Sequence, residues 1–187
     1  MIELRDVTRD DGRRLFLWRR EPEVDRWNYQ SPPSDYGMHQ AWLDDFMADP
    51  DRAGWIIEEN GRPCGFLMLK GVADSQQRAQ WGWYIGEAAA RGRGAGRAAQ
   101  ALGLDRAFFD FGLQKVWSEV LADNEAALKA QAAAGFRREG YLRRHAFKDG
   151  QFRDVVLLAI LVEEWRARRE TVLGQLEASG LIRKPPA

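Results

Sequence analysis

Between Ala53 and Gly86, apolar residues gather into three runs with the length and character of strands: AGWIIEE, GRPCGFLMLKGV and RAQWGWYIG. Asn60-Gly61 lies between the first two, and this pair accepts the positive φ angles of a two-residue hairpin turn. Polar ADSQQ joins the second run to the third. A short strand from Met1 to Val7 precedes them, with Ile2 and Leu4 in alternation. Helical spacing marks the intervening chain. Leu15, Phe16 and Trp18 form the apolar face of a helix that Asp10-Asp11 can cap, and Trp42, Leu43, Phe46 and Met47 do the same for a helix from His39 to Ala48. Pro22 and SPPSDYG break Glu21 to Gly37 into a short helix and a loop. Beyond the third strand, a glycine stretch opens a helix that reaches about Gly112. KVWSEVLA reads as a strand, and Asn124 to Ala134 as an alanine-rich helix ended by Gly135. FRREGYLRRHAFK and QFRDVVLLAIL read as two strands about the turn KDGQ. Val162 to about Ser179 returns to helical spacing through Trp165, Val172 and Leu176, and the terminal KPPA reads as frayed. The order β-α-α-β-β-β-α-β-α-β-β-α predicts an α+β protein built on a mixed sheet, with no repeat or linker dividing it.

A chain of 187 residues suits one domain. Lys and Arg number 28 and so do Asp and Glu, which weighs against a general nucleic-acid binder. One cysteine, Cys64, excludes an internal disulfide and a cysteine-based zinc site; with only His39 and His145 besides, no metal is expected. The start MIELRDVTRDDGRR is charged and lacks the apolar centre of a signal peptide. No run reaches the ~18 apolar residues of a membrane span. A cytoplasmic protein without a membrane partner is the expectation.

Arg91-Gly-Arg-Gly-Ala-Gly96 places three glycines in five residues at a strand-to-helix junction. Such a turn leaves backbone N–H groups pointing outward at a helix N-terminus, where the helix dipole adds partial positive charge. Phosphate is the natural guest, and Arg91, Arg93 and Arg97 can fork onto it. No Gly-Lys-Ser/Thr follows, so this is not a P-loop. Gly92-x-Gly94-x-Gly96 after a run of antiparallel strands is not the dinucleotide fingerprint either.

Arg91-x-x-Gly94-x-Gly96 resembles the Gln/Arg-x-x-Gly-x-Gly/Ala signature of the GNAT superfamily of N-acetyltransferases. The resemblance continues in Asn124-Glu-Ala-Ala127 and Gly135-Phe136, and in the order of elements from Met1 to about Leu161. It implies the GNAT fold: a central, mixed, mostly antiparallel twisted sheet of about seven strands, helices on both faces, and splayed fourth and fifth strands. Residues 1–161 would form that domain, and 162–187 a C-terminal helix and tail. The implied chemistry is direct acetyl transfer from acetyl-CoA to an amine, with no metal. The loop Arg91, Gly92, Arg93, Gly94, Ala95, Gly96 and Arg97 would hold the pyrophosphate. Trp83, Tyr84 and Ile85 would pair with the pantetheine arm. Asn124 and Gln131 would be further cofactor contacts, although Asn124 reads equally as a plain N-cap. The sequence departs from the family at Gln131, seven residues after Asn124, where a tyrosine usually protonates the departing thiolate. An amide cannot act as that acid. It can hydrogen-bond the sulfur while solvent protonates the thiolate, or Tyr141 takes the role.

Amine acetylation also needs a proton acceptor. Glu119, mid-strand in KVWSEVLA and on the opposite face from Ser118, is the first candidate, and His39 the second. For the acceptor, LFLWRREPEVDRWNYQ resembles a segment of a subset that includes ribosomal-protein N-terminal acetyltransferases and pseudaminic-acid-pathway acetyltransferases, and His39 and GYLRRHAFKDGQFRDVVLLAIL resemble features of the latter, which serve flagellin glycosylation. Those enzymes acetylate the 4-amino group of a UDP-linked 4-amino-4,6-dideoxy-sugar. The resemblance implies a nucleotide-sugar partner, with Arg19, His39 and Lys70 on its diphosphate and Trp81 or Tyr29 stacked on uracil. Two other readings stay open. One is N-terminal acetylation of ribosomal or other proteins, which needs a peptide groove between the Arg19–Pro33 loop and the hairpin at Lys148-Asp149-Gly150. The other is a non-catalytic acetyl-CoA sensor. The tail helix either packs on the sheet or forms a homodimer contact.

Overall fold

The computed structural model describes residues 1–183, so the KPPA segment read as frayed lies outside the described residues. Seven strands form one sheet: β1 (Ile2–Asp6), β2 (Arg52–Glu59), β3 (Arg62–Lys70), β4 (Arg78–Ile85), β5 (Lys115–Leu121), β6 (Arg137–Lys148) and β7 (Gln151–Leu161). Their order across the sheet is β1-β2-β3-β4-β5-β7-β6. Every neighbouring pair is antiparallel except β4 and β5. The two tight turns form where their residues allow positive φ: Asn60 and Gly61 at 53° and 72°, Asp149 and Gly150 at 50° and 77°.

Alternation along the strands decides which helices cover which face. Ile56 and Phe66 point to one side, where Leu15 and Trp18 of α1 (Gly12–Arg20) and Leu43 and Phe46 of α3 (Tyr36–Ala48) meet them. Trp55, Ile57, Leu67, Leu69, Trp81 and Val116 point to the other. There they pack against α4 (Ala95–Asp105) and α6 (Val162–Ala178), with α5 (Glu125–Ala134) contributing Ala127, Leu128 and Ala134. A short α2 (Pro22–Asp25) follows α1 and leads into the segment 26–35. Trp27 and Tyr29 of that segment pack on Leu121, Leu142, Ala146 and Val155. The apolar side of α6 is consumed within its own chain: Trp165, Leu173 and Leu176 are fully buried in the main core.

Two helix starts differ from the sequence reading. The Asp10-Asp11 pair does not cap α1. Residues Arg9–Asp11 form a 3-10 turn, and the Asp11 carboxylate turns back to accept from the Thr8 backbone N–H at 2.9 Å and from Arg5. α3 starts three residues before His39, because Asp35 accepts from the Met38 backbone N–H at 3.0 Å and opens the helix there.

Candidate active site

The site is set by a failure of pairing. β4 and β5 run side by side only at Arg78–Lys115, Ala79–Val116 and Gln80–Trp117. Beyond those three pairs the strands part, so Trp81 to Ile85 and Ser118 to Leu121 face a gap. β4 stays hydrogen-bonded to β3 as far as Ile85, so its edge toward the gap keeps an extended shape with unused backbone groups.

The glycine loop closes the top of this gap. Gly92 and Gly94 take φ of 72° and 93°, the left-handed region, and Gly94 is the N-cap of α4. The backbone bond from the Ala98 N–H to the Gly94 carbonyl starts the helix, which leaves the N–H groups of the first turn without helical partners. A Cβ on Gly96 would sit 2.9 Å from the Trp83 ring, and one on Gly94 would sit 2.8 Å from Leu181. Side chains are thus excluded at both positions by packing against Trp83 and Leu181, which brings the loop and the first turn of α4 close against β4 and leaves free N–H groups that can receive an anion.

The three arginines divide their work. Arg91 folds back on the end of β4, donating through Nε to the Ile85 carbonyl at 2.9 Å and through Nη2 to the Gly86 carbonyl at 2.8 Å. It shapes the loop rather than reaching outward, which corrects its assignment as a free phosphate fork. Arg93 stays mostly exposed, 3.6 Å from Glu59. Arg97, on the first turn of α4, donates to Gln175 of α6 at 2.6 Å. Arg97 also heads a surface cleft of about 730 Å³ between α5 and α6 that Arg137 and Arg168 line, on the opposite face of the sheet from Glu119.

On the β4 edge, Trp83 and Ile85 face α4 while Tyr84 faces α1, its ring 6.4 Å from Trp18. Asn124 acts as N-cap of α5, accepting from the Ala127 backbone N–H at 3.1 Å. Gln131 is buried, and its amide oxygen accepts from the Ser118 hydroxyl at 2.5 Å. Tyr141 is no replacement acid for it. That ring is more than half exposed, and its hydroxyl donates to Asp154 of the same hairpin at 2.7 Å.

The other face of the gap holds a group of ionisable side chains. Glu119 is four-fifths buried and accepts from the Tyr29 hydroxyl at 2.9 Å. Burial, and then this bond to Glu119, keep the Tyr29 proton on by raising its pKa. His145 brings its Nε2 within 4.0 Å of the same carboxylate. Arg19 donates to the Gln30 carbonyl at 2.9 Å, and burial lowers its pKa while Tyr84 and Asp25 counteract. The segment carrying Tyr29 is fastened by Lys148. This ammonium is almost wholly buried and donates to Asp25 at 2.9 Å and to Ser31 Oγ at 2.7 Å.

Three of the expected acceptor residues are elsewhere. His39 is 3% exposed, its ring centroid 5.5 Å from that of Phe16 and 5.3 Å from that of Trp42. Burial and the nearby Arg19 hold its pKa below the ordinary imidazole value, so it is a neutral core histidine. Lys70 ends β3 opposite Gln80, at the closed end of the gap. Trp81 is buried and stacks on Phe136 at 4.9 Å with 24° between the rings, so no uracil can reach it. Of the expected catalytic and acceptor-binding residues, the fold joins Glu119 directly to Tyr29 and holds Arg19 to Gln30, the next residue after Tyr29. Sequence reasoning missed His145 and Lys148 as site residues; both lie on β6, whose irregular register carried no signal in the apolar pattern. Among the described residues no cluster of three or more His, Cys, Asp or Glu side chains could hold a metal ion, and no helix is long and apolar enough to cross a membrane.

Comparison with known proteins agrees with this geometry and corrects the acceptor. Residues 2–137 match the family model described as "Acetyltransferase (GNAT) domain". The spermidine N(1)-acetyltransferase of Escherichia coli K12 is 24% identical over 170 residues, 91% of either chain. The spermidine N-acetyltransferase of Vibrio cholerae, solved with CoA and spermine, superposes with a TM-score of 0.83 at 20% identity, over 88% of this chain and 98% of that one. A dodecameric structure of the Vibrio enzyme superposes with a TM-score of 0.77 at 21% identity, over 89% and 97%. These relatives act on polyamines by their names, which overturns the UDP-amino-sugar reading and, with it, the nucleotide-sugar partner and the pseudaminic-acid pathway. The parted β4 and β5, the glycine loop and the family match converge: this chain belongs to the GNAT acetyltransferases, enzymes that move an acetyl group from acetyl-CoA to an amine.

Proposed function

We propose that this enzyme acetylates a small polyamine such as spermidine, with acetyl-CoA as donor. The observation that carries the reading is the state of Glu119. Among the described residues, the only side-chain cation within ion-pair distance of it is His145, at 4.0 Å. A mostly buried carboxylate without a fixed cationic partner, on the acceptor face of the gap, suits a substrate ammonium. The chain has no net charge, so attraction for a polycation must come from such local groups. The 24% identity to a spermidine N(1)-acetyltransferase along 91% of both chains supports the same class of acceptor.

The latch formed by Lys148, Asp25 and Ser31 argues against the peptide reading. It joins the segment after α1 to the β6–β7 hairpin at the place where an extended peptide would need a groove.

In this reading the β4 edge orients the pantetheine arm, and the first turn of α4 with Gly94 and Gly96 receives the pyrophosphate. Glu119 holds the ammonium. Gln131 donates no proton, so the thiolate leaves to solvent.

The test is release of CoA thiol from acetyl-CoA in the presence of spermidine, spermine or an alanine-starting peptide. Saturable turnover with a polyamine, and background with the peptide, is the expected result. Turnover with the peptide and none with any polyamine would sink the proposal.

A further inference from the structure

β6 breaks step with β7 in the middle. Leu142 pairs with Val155 and Ala146 with Arg153, so three residues, Arg143 to His145, stand opposite the single Asp154. The distortion is built. Arg144 takes φ of 52°, and Asp154 braces it by accepting from the Arg144 backbone N–H at 2.7 Å and from the Tyr141 hydroxyl at 2.7 Å. In a regular strand, neighbours point to opposite faces. Here Ala146 packs in the cluster with Tyr29, and His145 also reaches that side, toward Glu119. Bulges re-aim side chains in this way beside active sites.

The gap between His145 Nε2 and Glu119 Oε2, 4.0 Å, is too long for a direct hydrogen bond. It fits a shared guest. A nitrogen off the line between them stands about 2.9 Å from both atoms, an ordinary hydrogen-bond length. We propose that His145 and Glu119 clasp the acceptor ammonium between them and that His145 takes its proton. This rests on the reading of the enzyme as an amine acetyltransferase and adds its base.

The step balances. Ammonium donates one N–H to the Glu119 carboxylate and transfers another proton to neutral His145 Nε2. The freed lone pair attacks the thioester carbonyl and the C–N bond forms; as the tetrahedral adduct collapses, the nitrogen's second proton passes along its hydrogen bond to Glu119 and on to water, the C–S bond breaks, and CoA leaves as thiolate. His145, with 45% of its side chain exposed, returns its proton to water, and water protonates the thiolate. The Glu119 carboxylate is already engaged by the Tyr29 hydroxyl, which leaves the imidazole as the proton acceptor of the pair, and the carboxylate stabilises the imidazolium that results. The charged groups around it are Glu119 on β5 with Tyr29 beyond, and Arg143, Arg144 and Asp154 on its own hairpin.

His145→Ala tests this with spermidine as acceptor. Turnover should fall about 100-fold or more, acetyl-CoA affinity by calorimetry should stay within twofold, and the acidic limb of the turnover–pH profile should vanish. Added imidazole should restore part of the rate. Spermidine turnover within threefold of the parent, with that limb intact, overturns the assignment while leaving the polyamine reading standing. Turnover of another amine alone, still lost in His145→Ala, overturns the polyamine reading and keeps the clasp. A second readout does not depend on turnover: the NMR signals of the His145 ring should shift when spermine is added to CoA-loaded protein. A ring unmoved by any amine overturns the clasp.

Discussion

Placed between Phe16 and Trp42, His39 is kept neutral by its surroundings. Burial lowers its pKa first, and the Arg19 guanidinium adds to the effect. Between the ordinary imidazole value of about 6.5 and this lowered one, the unfolded chain binds a proton that the folded chain refuses. Stability therefore falls as pH drops through that window, and is unaffected by this residue above it. We expect scanning calorimetry from pH 7.5 to 5 to show a steeper loss of Tm for the parent than for His39→Phe, which keeps the ring contacts and removes the titration. Parallel curves would mean that His39 carries no such penalty. Glu119 shows the opposite use of a buried polar group. It keeps Tyr29 as a neutral partner on Oε2, the oxygen that also faces His145. Both residues looked alike as candidates in the sequence. Only their neighbours separate a packed ring from a carboxylate proposed to bind substrate.

At the scale of elements, the segment 26–35 has no regular structure of its own and borrows its position. Arg19 holds it from α1 and Lys148 from the end of β6. A buried ammonium left without its carboxylate is costly, so Lys148→Met and Asp25→Ala should each destabilise the protein by about 2–3 kcal/mol. The double variant should lose less than the sum by about 1 kcal/mol or more. The KM for spermidine should rise several-fold in each, because Tyr29 loses its support, while acetyl-CoA affinity holds. Additive losses from denaturant titrations would show that the latch is no unit. The β4–β5 gap is the other device at this scale. β4 pairs with β3 along its whole upper half, and β5 with β7 up to Leu121, so each strand stays rigid without the other. A cleft can then remain open at little cost in lost pairing.

At the scale of the molecule, the sheet is covered on one face by α1 and α3, and on the other by α4, α5 and α6. The last helix belongs to this core. Trp165 is fully buried, and its indole N–H donates to Asp105 of α4 at 2.8 Å, where Arg169 also forks onto the carboxylate. Leu181, just past α6, lies against Gly94 of the glycine loop, and its carbonyl accepts from the Ile2 N–H at 2.6 Å. The segment after α6 thus ties the first strand to the glycine loop. Trp165→Ala should cost about 3–5 kcal/mol, lowering Tm by about 10 °C or more, and should weaken acetyl-CoA binding as the support under α4 loosens. An unchanged Tm would place α6 outside the cooperative core.

Strand periodicity, the Asn60-Gly61 turn and the glycine-rich junction determined most of the fold in the sequence alone, because each rests on local geometry. Apolar alternation needs a sheet with two covered faces, and residues at positive φ need glycine, asparagine or aspartate. The phosphate loop was legible for the same reason. The acceptor side was not. Whether Glu119 works, whether His39 is core, and whether Lys70 and Trp81 reach a ligand depend on which elements meet, from Phe16 against His39 to Tyr29 against Glu119, ninety residues apart. The bulge that swings His145 to Glu119, and the Lys148 latch spanning from β6 to Asp25, arise only once strands choose partners and register. Long-range pairing is collective, and no local pattern encodes it. It was therefore the tertiary structure that decided which candidate side chains share one cleft.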